Sequence, residues 1–394
     1  MTEALGQSQV LSYLKRMASD QLRFLILSFE KPQDFEKGKK EVEQLIAGTN
    51  IVWQPLPYTK NPPVLSGYWD IEKGKKLALQ LCRQYEPQIV HCRGYLSSLI
   101  GSYLQRKKGL KFIFDMRGWW PDEKRESGHW QSKIYTPVYR HFKNVERRLF
   151  QQADYIVSLT EAGKSEVVRQ GVAPAEKVGV IPTCVDFDLF QPFDEQKRQQ
   201  VRAALKIPEQ AKVLLYSGSL GGNYDINVVL KIYEAFQKRF PESYLLLLTK
   251  SRLSEADAAK IQADPHIRLA SAPFREVSAY LMAGDAGLII YKSGFSVIGR
   301  SPTKLGEYWA SGLPVISLQG IGDLDLLYAR YPGGGVLLSS DLSDADQKLA
   351  QFSFTEKERL RSNAMDYYHI ERGARFYMDL YQQLFRTVNH EVIA

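Results

Sequence analysis

The stretch Ser301-Pro302-Thr303-Lys304-Leu305-Gly306-Glu307-Tyr308-Trp309-Ala310-Ser311-Gly312-Leu313-Pro314-Val315-Ile316 decides how this chain is read. Ser301-Pro302 predicts a helix start, with serine as the cap and proline in the first turn. Ser311-Gly312 predicts a turn, and a buried strand begins at Leu313. A helix start of this kind aims unbonded backbone N–H groups forward and favours an anion there. Lys304 adds a full positive charge. Glu307, one turn later, is a carboxylate able to accept two hydroxyl hydrogen bonds, as from a ribose. A phosphate holder beside a diol holder is what a nucleotide-sugar site requires. Ordinary surface helices carry the same residue types, so the segment has to be read with its surroundings.

Outward from it, strand-like and helix-like segments alternate along the whole chain, the mark of parallel α/β architecture. In the first half the expected strands are 24–29, 51–55, 89–92, 111–115, 155–159 and 178–181, with helices between them, such as 71–85 and 136–152. In the second half they are 213–217, 244–249, 267–270, 286–291, 314–317 and 335–338. Most of these runs are continuously apolar, as strands covered on both faces are. The expected fold is therefore two doubly wound, Rossmann-like halves, with ligands beyond the carboxyl ends of the strands. Ile181 to Pro192 is polar and aperiodic between two prolines, and joins the halves.

A chain of 394 residues suits two domains. Its 44% hydrophobic and 24% charged content is that of an ordinary globular protein. No apolar run reaches the ~20 residues of a spanning helix. The opening Met1-Thr2-Glu3-Ala4-Leu5 has neither a basic region nor an apolar core, and a cytoplasmic protein is expected. Cys82, Cys92 and Cys184 have no metal spacing and read as reduced small hydrophobes. Neither Asp186-Phe187-Asp188 nor Asp323-Leu324-Asp325 reads as a metal motif, and no metal site or cofactor is expected. The net charge of +8 concentrates between Lys107 and Arg148, where Trp119, Trp120, Trp130, Tyr135, Tyr139 and Phe142 interleave with the cations. Two readings stay open: a solvated helix face over core aromatics, or peripheral contact with an anionic membrane at its cytoplasmic face. No nucleic-acid module accompanies the cluster, and nucleic acid is not expected as a partner.

Pro302 to Glu307 followed by Ala310 to Ile316 resembles the donor-site signature of retaining family 4 glycosyltransferases, especially those that build bacterial surface polysaccharides. The resemblance implies the GT-B fold, two Rossmann-like domains facing across a cleft. It implies an acceptor-side domain over 1–183, a nucleotide-sugar domain over 184–370, and a terminal helix over 371–394 packing back on the first domain. Relatives carry two glutamates eight positions apart; the second is Glu307, but the first position here is Gly299. They also open with a short strand and then a glycine-containing loop. Here Leu5-Gly6-Gln7-Ser8-Gln9 resembles that loop and 10–18 the helix after it, so the first strand is missing. A chain beginning at an internal methionine, about ten residues short of the natural start, is the expectation. It predicts two neighbouring strands without backbone partners.

Gly218-Ser219, after strand 213–217, leads into Gly221-Gly222-Asn223-Tyr224, a glycine-rich loop whose amides approach a phosphate closely. Relatives place an arginine and a lysine there; with neither at hand, Arg300 and Lys304 are expected to carry the charge. Arg117, in Asp115-Met116-Arg117-Gly118, stands where relatives contact donor sugar and phosphate, or else pairs with Asp115 or Asp122. Trp119 and Asp122 suit a carbohydrate acceptor or ordinary loop packing. His91 reads as a core histidine. By resemblance, Pro273 in Ser271-Ala272-Pro273 contacts the base, and Gly6 closes on the donor. The catalytic set is then Arg117, Arg300 and Lys304, and the donor set is Gly6, Gly218, Ser219, Pro273, Ser301, Pro302, Thr303 and Glu307. The expected activity is transfer of a hexose from UDP-, GDP- or ADP-hexose to a glycan or lipid-linked acceptor, with retention and without a metal. A non-catalytic sugar-nucleotide-binding subunit and a nucleotide-sugar epimerase of the same fold are the alternatives.

Overall fold

A computed structural model describes residues 1–222 and 224–391. All strand pairs in its sheets are parallel. In the first half β1 (Phe24–Glu30) pairs with β2 (Ile51–Pro57). A separate sheet runs in the order β3 (Ile89–Arg93), β4 (Lys111–Asp115), β5 (Tyr155–Ser158) and β6 (Val178–Val180). Among the described residues no strand joins these two sheets, so β1 and β3 each keep one edge without a strand partner. The second half forms one six-stranded sheet from β7 (Val213–Ser217), β8 (Tyr244–Leu248), β9 (Ile267–Ala270), β10 (Ala286–Ile289), β11 (Val315–Leu318) and β12 (Gly335–Leu338). Its order is β12-β11-β10-β7-β8-β9.

The chain divides into two compact units, with Val185–His369 and Asp122–Tyr135 in the second. A short excursion from the first half of the sequence thus packs with the second. The first unit includes the helix Ile370–Glu391, whose Tyr377 meets Tyr13 of the helix Ser12–Met17 edge to face at 5.8 Å. One expectation fails locally: Gly6 is not in a loop. It has φ −63° and ψ −43°, and the chain is helical from Ala4 through Met17, including a π turn at Gln7–Leu11. Gln7 N–H donates to Glu3 O at 3.2 Å, so the backbone is satisfied helically where a loop would leave it open.

In the second unit the strand order reverses between β7 and β10, and their carboxyl ends define the crevice for ligands. The amino ends of the same strands are locked by Asp285. Its carboxylate accepts from Val213 N–H at 2.8 Å and from Arg198 and Arg202 at 2.8 and 2.7 Å. The Arg202 guanidinium, only 1% exposed, also donates to the carbonyls of Ala283, Glu209 and Ala211. Removing the carboxylate leaves a buried cation and a buried amide uncompensated. Asp285→Ala should therefore cost about 3–5 kcal/mol in urea unfolding; a loss below about 1 kcal/mol would show that the network does not hold this sheet together.

Candidate functional site

The helix Thr303–Ala310 lies against the switch point and is held there by its own large side chains. The Tyr308 hydroxyl accepts from Ser217 N–H at 2.8 Å, fixing the helix to the end of β7. Its ring covers Gly287 of β10 so closely that a Cβ there would sit 2.5 Å from it. Trp309 donates its indole N–H to Gly334 O at 2.7 Å. Arg361 donates to Ala310 O at 2.8 Å, placing a cation at the helix carboxyl end, where the dipole favours one. The amino end differs from expectation by one residue. Pro302 stands at the cap with φ −65° and ψ 113° and makes no side-chain cap bond, and Ser301 lies one residue before it.

Lys304 is the centre of the site. Its Nζ lies 4.3 Å from the Tyr216 ring centroid and 4.8 Å from that of Tyr224, and donates to the Tyr216 hydroxyl at 3.3 Å. Gly218, with φ +129°, passes so near that a Cβ would meet Lys304 Cε and Nζ at 2.6 Å. Glycine is required here for both its conformation and its missing side chain. Among the described residues no carboxylate lies within ion-pair distance of Lys304. Burial pushes the Lys304 pKa down to about 8, with Glu307 opposing the shift. Burial pushes Glu307 up to about 7, opposed by Lys304. A cation with no carboxylate at ion-pair distance, set among aromatic rings, gives this spot a positive potential.

The glycine loop completes the surroundings. Gly221 and Gly222 have φ +94° and +62°, and Gly221 and Tyr224 exchange backbone hydrogen bonds of 2.8 and 3.1 Å. Asn223 of this loop lies outside the described residues. Ser219 is exposed and its carbonyl accepts from the Tyr216 hydroxyl. The loop borders a cavity of about 690 Å³ that is also lined by Tyr224, Tyr291, Arg252 and Lys292. The last two cations answer the expectation that this neighbourhood lacks its own. Their signal was available in the sequence, since each follows the end of a strand, β8 and β10.

Arg300 stacks over Tyr291 at 5.2 Å, but Glu123 already holds it at 2.8 Å. Burial works against the Arg300 charge, and Glu123 more than restores it, leaving the guanidinium above its usual pKa. Pro273 stands after β9, separated from Gly218 by β8. Gly6 and Arg117 belong to the first unit and Asp122 to the second. Arg117 has φ +57°, with its guanidinium 3.8 Å from Asp115. Trp119, weighed for acceptor stacking, is only 1% exposed, packs on Phe150 at 5.7 Å and lies beneath the Lys143 ammonium. It offers no face to a sugar because it fills the core. Trp130 and Phe142 are buried too, and the cations between Lys107 and Arg148 divide between the two units. Trp120, Tyr135 and Tyr139 are half-buried, and the cations of this region range from half-buried Lys111, Lys124 and Lys143 to exposed Lys107, Lys108, Arg140, Arg147 and Arg148. His91 is held neutral by burial, its pKa pushed down to about 4, with its Nδ1 2.8 Å from the Tyr381 hydroxyl.

The fold is GT-B. The structure of Anabaena Alr3699/HepE, solved with UDP and glucose, superposes with a TM-score of 0.69 at 13% identity, covering 97% of each chain. The sequence pattern of Glycosyltransferase Family 4 matches residues 6–189. D-inositol 3-phosphate glycosyltransferase of Corynebacterium kroppenstedtii is 25% identical over 264 residues, 62% of this chain and 56% of that protein. The putative colanic acid biosynthesis glycosyl transferase WcaI of Escherichia coli is 23% identical over 205 residues, 51% of this chain and 49% of that protein. The chain thus spans about half the length of the curated relatives it matches. Among the described residues, no helix is long and apolar enough to cross a membrane.

Glu307 titrates near 7 in the fold against 4.5 ordinarily, so between these values the folded protein holds the extra proton. Stability therefore falls as pH rises across that window, and the charged form is the costly one. Glu307→Gln should flatten the slope of unfolding free energy between pH 5 and 7, a difference on the order of 1–3 kcal/mol. An unchanged slope would mean that Glu307 is better solvated than its burial implies.

Proposed function

We propose that this protein is a glycosyltransferase that moves a hexose from a nucleotide diphosphate sugar to a hydroxyl of a glycan or lipid-linked saccharide. The observation that carries the reading is Lys304: a half-buried cation with no carboxylate within ion-pair distance among the described residues, in the first turn of a helix whose cap residue is a proline, and close against Gly218. A pyrophosphate supplies the charge that this position lacks. Helix-start amides and the glycine-loop amides give it hydrogen bonds. Glu307, three residues along the same helix, accepts hydroxyls of the ribose. Departure of the nucleoside diphosphate builds negative charge on the β-phosphate, and fixed donors aimed there lower the barrier. Lys304 is the principal such group, with Arg300 beside it once freed from Glu123. Arg252 and Lys292 raise the positive potential of the cavity that receives the nucleotide.

Retention follows in this reading from attack on the face that the phosphate leaves, with the β-phosphate oxygen taking the acceptor's proton. A hydrolase with two flanking acids is disfavoured, because Gly299 supplies no second carboxylate near Glu307. An epimerase needs acid–base groups at the sugar, whereas Tyr216 beside Lys304 and Tyr291 in the cavity lining are both held far from ionisation by burial. Contact of the exposed cations between Lys107 and Arg148 with an anionic membrane belongs to the same proposal, on charge alone.

Thermal-shift screening against UDP-, GDP- and ADP-hexoses should find one donor base that raises the melting temperature. With that donor, Lys304→Ala should lower kcat/KM for transfer or donor hydrolysis by at least about a hundredfold, the usual cost of a lost charge donor. Glu307→Ala should act mainly on KM. Full activity in both variants would defeat the site. Binding of the parent should also weaken above pH 8, where the free Lys304 loses its proton.

A further inference from the structure

The helix Trp120–Glu126 presents Glu123 and Glu126 one turn apart, on the same face. Both carboxylates reach the segment that leads into the Lys304 helix. Glu126 accepts from Ser296 N–H at 3.1 and 3.2 Å, and from the Ser296 hydroxyl. A Cβ on Gly294 would collide with that carboxylate, so glycine leaves the room it occupies. Glu123 holds Arg300 at 2.8 Å, with their side chains 35% and 19% exposed. Glu126 thus anchors the helix through neutral donors, while Glu123 neutralises one cation of the site. Two cations lie on this short stretch, and they differ in one respect: among the described residues Lys304 has no carboxylate within ion-pair distance and Arg300 has one.

We propose that Glu123 is a resident anion that competes with the donor's diphosphate for Arg300, and so sets how much negative charge a ligand must bring. This rests on the reading of Lys304 as the anion seat. A diphosphate brings at least two charges, enough to engage Lys304 and to draw Arg300 away from a single carboxylate. A ligand without phosphate gains nothing from Arg300 and never meets the competition. Glu123 therefore discriminates between ligands by charge rather than by shape. Because Glu126 keeps its own hold on Ser296, Glu123 can release Arg300 without the helix leaving.

The test is calorimetric titration of parent and variants with UDP, GDP and ADP, and with the matching nucleoside, at about 0.1 M salt. Glu123→Gln keeps the size and loses the charge. It should tighten binding of the recognised diphosphate at least about threefold, in line with the loss of a partly exposed charge pair, while leaving nucleoside binding unchanged. In an Arg300→Gln background the same change should have no effect. If Glu123→Gln melts early, Glu123→Asp withdraws the carboxylate from Arg300 and should tighten binding in the same direction. Unchanged or weaker diphosphate binding in these variants, with Lys304→Gln still abolishing it, overturns the inference and leaves the proposed function standing. Equal tightening for the nucleoside, or tightening without Arg300, overturns it as well. Parent-like binding in Lys304→Gln overturns the anion seat itself, and with it both readings.

Discussion

The contact between Lys304 and Gly218 is the constraint on which the site depends. A long, half-buried cationic side chain lies against a backbone that leaves no space for a Cβ, among tyrosine rings that carry no counter-charge. Cations in such places ordinarily find a carboxylate or lose their proton. Lys304 is left near the middle of that choice, with its pKa lowered to about 8. The surrounding structure explains how the position is kept. Tyr308 ties the helix to β7, Trp309 ties it to Gly334, and Asp285 fixes the far ends of the two strands at the switch point. Stability is given up at one point and recovered around it, as is usual where a fold carries a binding site.

The coupling of Lys304 with Glu307 has a chemical consequence. Each opposes the other's shift, yet burial dominates both. Both charged forms are therefore disfavoured by burial, and the pair is sensitive to any charge brought near it. A ligand with phosphate near the lysine and hydroxyls near the glutamate supplies both missing interactions at once. A ligand with only one of these features leaves the other group unsatisfied.

Much of the second half was legible in the sequence because its strands are apolar throughout and its turns are marked by glycine. Ser311-Gly312 is a turn, with φ +77° at Gly312, and the strand after it is buried as expected. The places of Gly218 and Lys304 were legible, one just after a strand and one in the first turn of a helix. Their mutual contact was not, because 86 residues of chain separate them and nothing local encodes the approach. The Arg300–Glu123 pair was hidden for the same reason, and more deeply, since Glu123 stands in the first half of the chain and packs in the second unit. The tyrosine cage was missed because Tyr216 lies in a strand and Tyr224 in a loop, and nothing local brings either to Lys304. Among the aromatics between Trp119 and Phe142, composition could not tell core from surface: Trp119, Trp130 and Phe142 are buried, whereas Trp120, Tyr135 and Tyr139 are half-buried. Gly6 misled because a lone glycine in a polar run reads as a loop, whereas its neighbours are satisfied as a helix.

The most direct measurement is a crystal structure of the protein soaked with UDP, GDP or ADP. The account predicts that the diphosphate of the recognised nucleotide lies within hydrogen-bond reach of Lys304 Nζ and of the amides that open the helix Thr303–Ala310. A nucleotide bound elsewhere on the second unit, with Lys304 still enclosed by Tyr216 and Tyr224, would contradict it.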